Sequence, residues 1–97
     1  DEKFDVVICA DVMEHVPEEF VDDVLKQMRH WCEPDGIGLF SISGRPAFKS
    51  FGDGENLHIT MKPLDWWTEK LDNVFARRYH HEYTPNHPGG GIIRRRV

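Results

Sequence analysis

The sequence predicts an α/β domain built on a mostly parallel sheet that closes with an antiparallel strand. Three observations carry this. Residues 4–10, Phe-Asp-Val-Val-Ile-Cys-Ala, form a nearly continuous apolar run, the pattern of a strand covered on both faces. An amphipathic helix and a second apolar strand at 37–43 follow, giving one strand–helix–strand unit, whose crossover is right-handed in nearly all proteins. Near the end, Thr-Pro-Asn-His-Pro-Gly-Gly-Gly (84–91) separates an aromatic-rich strand from a last short one, so these two pair antiparallel.

Each element has its own warrant. Pro17 suits the first turn of a helix, and Glu18, Glu19, Asp22 and Asp23 favour the positive end of the helix dipole. Val16, Phe20, Val21, Val24, Leu25, Met28, Trp31 and Cys32 then recur at spacings of three and four, which puts one apolar stripe on one face. Lys26, Arg29 and His30 complement the dipole at the far end, and Glu33-Pro34-Asp35-Gly36 stops the helix. The second strand carries Leu39, Phe40 and Ile42. Residues 44–60 read as a long polar, glycine-containing loop, a length usually tied to function in a compact domain; Phe48, Phe51 and Leu57 anchor it. Pro63 opens a short helix over 64–72, with Leu64, Trp67 and Leu71 on one side and Trp66 on another. The spacing predicts strands over 74–83 and 92–97.

Totals narrow the function. Ninety-seven residues make a single domain, 1–97, and a net charge of −5 gives no support for nucleic-acid binding. Arg94-Arg95-Arg96 is a short basic run that reads as a solvated strand end. No apolar run approaches the roughly 20 residues of a membrane span. Cys9 lies inside the first strand and Cys32 closes a helix, so both read as buried thiols of a reducing, cytoplasmic protein. The chain starts Asp-Glu-Lys and enters a strand within four residues, which suggests a fragment.

The chemistry concentrates where the first strand ends. Asp11, Glu14 and His15 follow an apolar run at once, as expected if a strand delivers polar groups to a crevice at its carboxyl end, where open α/β sheets bind ligands. The competing reading makes Asp11 and His15 caps for the helix at Pro17. The six histidines are scattered, with neither C-x-x-C nor H-x-x-x-H spacing, so no metal site is expected; His80 and His81 are adjacent on a strand and face opposite ways. Gly89-Gly90-Gly91 precedes a strand and Gly52-x-Gly54 lies in mid-loop, so neither has the setting of a phosphate loop, and there is no Gly-x-Ser-x-Gly elbow. Arg45, Lys49, Asp53, Glu55, Asn56 and His58, followed by Trp66-Trp67, form either a lid over a small molecule or a loop held by its own aromatics.

The stretch "FDVVICADVMEHVPEEFVDDVLKQMRHWCEPDGIGLFSIS" resembles the second half of a class I S-adenosylmethionine-dependent methyltransferase. In that family the fourth strand ends in an acidic or polar segment, often with a Glu-His pair before Val-Pro, then a helix, a Pro-x-Gly turn and the fifth strand. "DGENLHITMKPLDWW" is similar to a loop-and-helix segment of bacterial and phage members. The resemblance implies a partial Rossmann-like domain whose antiparallel strand is the family's seventh. It implies S-adenosylmethionine as cofactor and a small-molecule methyl acceptor. Cys9, Ala10 and Asp11 would lie beside the methionine part of the cofactor. Glu14, His15 and His58 would serve as catalytic groups, and Arg45, Asn56 and Trp66 as acceptor-binding ones. The family's glycine-rich loop and the acidic residue after its second strand are not in these residues, so half the pocket is absent and weak cofactor binding is expected of the isolated chain. An alternative is a non-catalytic half-domain that pairs with a partner, a missing N-terminal half or its own copy, through the open edge of the first strand.

Overall fold

β1 (Phe4–Ala10) lies at one edge of a four-stranded sheet whose order is β1-β2-β3-β4. β2 is Cys32–Ser43, β3 Tyr79–Thr84 and β4 Ile93–Arg96. β1 with β2 and β2 with β3 are parallel, and β3 with β4 is antiparallel. This is the mixed, mostly parallel sheet of a partial Rossmann-like fold. The structure is a computed structural model that describes residues 2–45, 57–85 and 92–96.

Strand order explains where the helices sit. β1 to β2 to β3 advances in one direction, so crossovers of one hand place both helices on one face. α1 (Glu18–Trp31) and α2 (Leu64–Phe75) accordingly touch each other. Lys62 pairs with Glu18 at 2.8 Å and Lys70 with Asp22 at 3.0 Å, tying α2 and its entry to α1. The core lies between helices and sheet: Val21 and Leu25 from α1, Trp67, Leu71 and Phe75 from α2, and Cys9, Phe40, Ile42, Tyr79 and Tyr83 from the strands. Burying a side chain of this size contributes about 1.5–3 kcal/mol. The Phe40 ring meets Phe75 edge-on at 5.2 Å.

Several expectations change. β1 is covered on one face, not both: Cys9 is buried beneath the helices, whereas Phe4, Val6 and Ile8 are 50%, 45% and 69% exposed. With both helices on one side, no described element covers the other. The α1 stripe is narrower than its sequence, since Phe20 and Trp31 are exposed. β2 starts at Cys32, with Glu33–Gly36 as an excursion within it: Phe4 stands opposite Cys32 but Val6 opposite Ile37. α2 runs three residues past 72 because Phe75 continues the stripe of Trp67 and Leu71. It ends at Ala76, in the left-handed region (φ 49°), and Arg77 follows there (φ 71°), so β3 begins at Tyr79 and not at 74. His80 is half-buried and His81 buried, on opposite faces. No helix among the described residues is long and apolar enough to cross a membrane.

Candidate functional site

The site begins at the carboxyl end of β1. Asp11 adopts φ 57°, a left-handed conformation that Asp tolerates better than most residues, and this turns the chain out of the strand. Its amide donates to the Ser41 carbonyl at 3.0 Å, prolonging the β1–β2 ladder by one bond. The Ser41 hydroxyl in turn donates to Asp11 Oδ1 at 3.1 Å. The Asp11 carboxylate is therefore fixed at the strand end.

A single 3-10 turn, η1 (Met13–His15), follows, with its Met13 side chain fully buried as an anchor. No side chain caps η1 or α1; the cap positions are Val12 and Pro17. Asp11 and His15 spend their hydrogen bonds elsewhere, which removes the capping explanation for the polar cluster.

Residues 57–60 close over this turn. The Thr60 amide donates to the Glu14 carbonyl at 3.0 Å, and the Thr60 hydroxyl to the Val16 carbonyl at 2.6 Å. His15 Nδ1 donates to the Leu57 carbonyl at 2.8 Å. His58 is thereby brought beside His15, their rings edge to face at 4.7 Å, and its Nδ1 donates to the Arg45 carbonyl at 2.5 Å. A carbonyl only accepts, so Nδ1 of each ring carries a proton, and in the neutral form of either imidazole the lone pair is on Nε2.

Glu14 completes the group. It is 1% exposed, its Oε2 lies 3.9 Å from His58 Nε2, and its Oε1 has no hydrogen-bond partner among the described residues. Burial pushes its carboxyl above the usual range; a hydrogen bond from its own backbone and then the histidines when charged, His58 more than His15, pull it back down, and Asp11 adds a smaller upward push. Burial likewise pushes the Cys9 thiol up to about 11, with the Glu14 charge as the next cause. Two imidazole lone pairs beside a desolvated carboxylate can accept a proton from a bound hydroxyl or amine, or share a cation.

The remaining expected residues are distributed as follows. Cys9 points under the helices, while Ala10 lies on the opposite face, in a shallow groove of about 300 Å³ shared with Ile8, Leu39, Ser41 and His80. Arg45 donates from Nε to the Pro85 carbonyl at 2.7 Å, tying the end of β2 to that of β3. The Trp66 ring meets Trp67 edge-on and lies under Lys62 and Lys70 at 5.5 and 5.1 Å, at the α1–α2 contact. Asn56 lies outside the described residues, as do Lys49, Asp53 and Glu55. Sequence reasoning missed Ser41 and Thr60. Ser41 was recoverable from the parallel register, which sets it beside Ala10; Thr60 carries no sequence signal.

Residues 1–40 match the family described as "Methyltransferase domain". The matched segment spans β1, η1, α1 and most of β2, and so includes Cys9, Ala10, Asp11, Glu14 and His15; Arg45, His58 and Trp66 lie beyond it. No curated protein and no solved structure matches the chain.

Proposed function

We propose that the chain is the C-terminal part of an S-adenosylmethionine-dependent methyltransferase that acts on a small molecule. The family match over residues 1–40, with a fixed carboxylate at the carboxyl end of the matched strand, carries this reading. Strand ends of open parallel sheets are where such ligands bind. When bound, S-adenosylmethionine supplies an electrophilic methyl on a sulfonium.

The chain's residues fit one wall of such a pocket. Ala10 is exposed and has no side chain long enough to obstruct a ligand beside β1, and Asp11 offers an anchored carboxylate to a cation or hydroxyl. On the acceptor side, the Nε2 lone pair of His15 or His58 takes the proton of an attacking hydroxyl or amine. Glu14 stabilises the imidazolium so formed. Arg45, whose carbonyl accepts from His58, stands on the acceptor side of this reading. Holding acceptor, methyl and sulfur in line contributes up to roughly 7–11 kcal/mol in well-oriented reactions.

Release of S-adenosylhomocysteine, followed over a panel of small hydroxyl and amine acceptors with the protein expressed from its complete reading frame, tests the proposal. Asp11→Asn keeps the backbone preference and removes the charge. It is expected to weaken cofactor affinity by about tenfold, the scale of a lost charged hydrogen bond. His58→Ala is expected to lower kcat far more than cofactor affinity. No transfer to any acceptor together with no cofactor binding contradicts the reading.

A second reading has its own support. The outer edge of β1 has no partner strand among the described residues, and Phe4, Val6 and Ile8 are exposed beside it. A non-catalytic half-domain that joins a second copy edge to edge would use this surface. Concentration-dependent dimerisation that Ile8→Lys abolishes, without cofactor binding, favours it.

A further inference from the structure

We propose that Glu14, His15 and His58 form a binding site for a divalent transition-metal ion. Their ligand-competent atoms, one per residue, all lie within 4.8 Å of one another. The residues reach this point from two separate places, the η1 turn and the segment after the long loop, which the two Thr60 hydrogen bonds clamp together.

Two further observations point to a ligand. Each histidine donates Nδ1–H to a backbone carbonyl, Leu57 for His15 and Arg45 for His58. Metal-binding histidines are oriented in this way: the outer nitrogen is held by an acceptor and the other presents its lone pair. Glu14 is 1% exposed, and its Oε1 is buried without a partner among the described residues. A desolvated carboxylate facing two lone-pair nitrogens leaves a concentration of electron-pair donors that a cation would neutralise.

The donor set selects the ion. Two imidazoles suit zinc, cobalt and iron(II) better than magnesium or calcium, and a 2-His-1-carboxylate set leaves coordination positions open. Metal–ligand bonds of about 2.0–2.2 Å require the side chains to draw in by roughly an ångström, a rotamer adjustment within reach of His15, which is exposed. On the methyltransferase reading, an oxygen of the acceptor would occupy an open position, where the cation lowers its pKa and fixes its direction of attack. That last step rests on the proposed function; the site itself does not.

The test uses the metal alone. Co2+ and Zn2+ are titrated into the protein without cofactor or acceptor, following Co2+ absorption in the visible and the Zn2+-dependent rise in Tm. One equivalent is expected to bind, and His15→Ala, His58→Ala and Glu14→Gln are each expected to weaken binding tenfold or more. His30→Ala, on the far end of α1, is expected to change nothing. His15 is exposed, so its variant folds and decides the matter if the buried Glu14 variant does not. Absence of Co2+ and Zn2+ binding at 100-fold excess, saturation by Mg2+ only, or binding unchanged in His15→Ala overturns the proposal. Methyl transfer that proceeds in a protein without such binding overturns the metal site and leaves the methyltransferase reading intact.

Discussion

The Thr60 amide donates to the Glu14 carbonyl at 3.0 Å, and this bond joins the two halves of the site. The Thr60 side chain adds its own bond to the next carbonyl but one, that of Val16, at 2.6 Å. Thr60 is 2% exposed, so Thr60→Val keeps shape and burial while leaving the Val16 carbonyl without this donor. Chemical denaturation should show a loss of about 1–3 kcal/mol, the cost of stranding a buried polar group. Hydrogen exchange should quicken at residues 57–60 more than in β2.

Tyr83 gives the domain an alkaline limit. Burial pushes its phenol above the ordinary value of 10.0, and its hydroxyl donates to the Lys62 carbonyl at 2.7 Å. An acid whose folded-state pKa is raised favours the folded state while it is protonated. That contribution is complete below the unfolded value near 10 and is lost as the pH rises towards the folded one. Loss of this contribution should therefore lower urea midpoints above about pH 10. Tyr83→Phe should lose roughly 0.5–1.5 kcal/mol at pH 7 and show a shallower alkaline fall.

Gly44 stands directly under the same hydroxyl. A Cβ placed there would lie 2.1 Å from Tyr83 Oη and 2.8 Å from Cζ, so the ring must move and its bond to Lys62 must break. Gly44→Ala is expected to destabilise by about 1–3 kcal/mol as overpacking. In the Tyr83→Leu background the same substitution should cost much less, which a double-mutant cycle measures.

Cys9 should be inert. Both cysteines are free and buried, and the Cys9 thiol is pushed up to about 11. Only the thiolate reacts, so at pH 8 very little of Cys9 is in the reactive form, and its side chain is buried. Labelling with a thiol reagent should be slow in the folded protein and fast in denaturant. Rapid labelling of Cys9 under native conditions would place it at an open surface, contrary to its packing beneath α1.

What could be read from the sequence follows from how local each signal is. The β1–α1–β2 unit rests on periodicity and helix signals within a single stretch, and its elements form where expected apart from the start of β2, although the α1 stripe leaves Phe20 and Trp31 exposed. The open face of β1 was not legible, because an apolar run states what a strand prefers to touch and not what is there to touch it. The end of α2 was misplaced since Val74 and Phe75 suit a strand as well as a helix, and only the burial of Phe75 on the Trp67–Leu71 stripe decides between them. Asp11, Glu14 and His15 were conspicuous as ionisable residues after an apolar strand. The meeting of His15 with His58, 43 residues on, depends on Thr60 and on two backbone carbonyls, groups that every sequence contains and none advertises.

The proposed placement of the cofactor beside the end of β1 is tested most directly by adding S-adenosylhomocysteine to the 15N-labelled chain and following amide shifts, a measurement sensitive to weak binding. The account predicts saturable shifts concentrated at Cys9, Ala10, Asp11 and Ser41, with β4 unaffected. Shifts confined to β3 and β4, or none up to millimolar ligand, would contradict it.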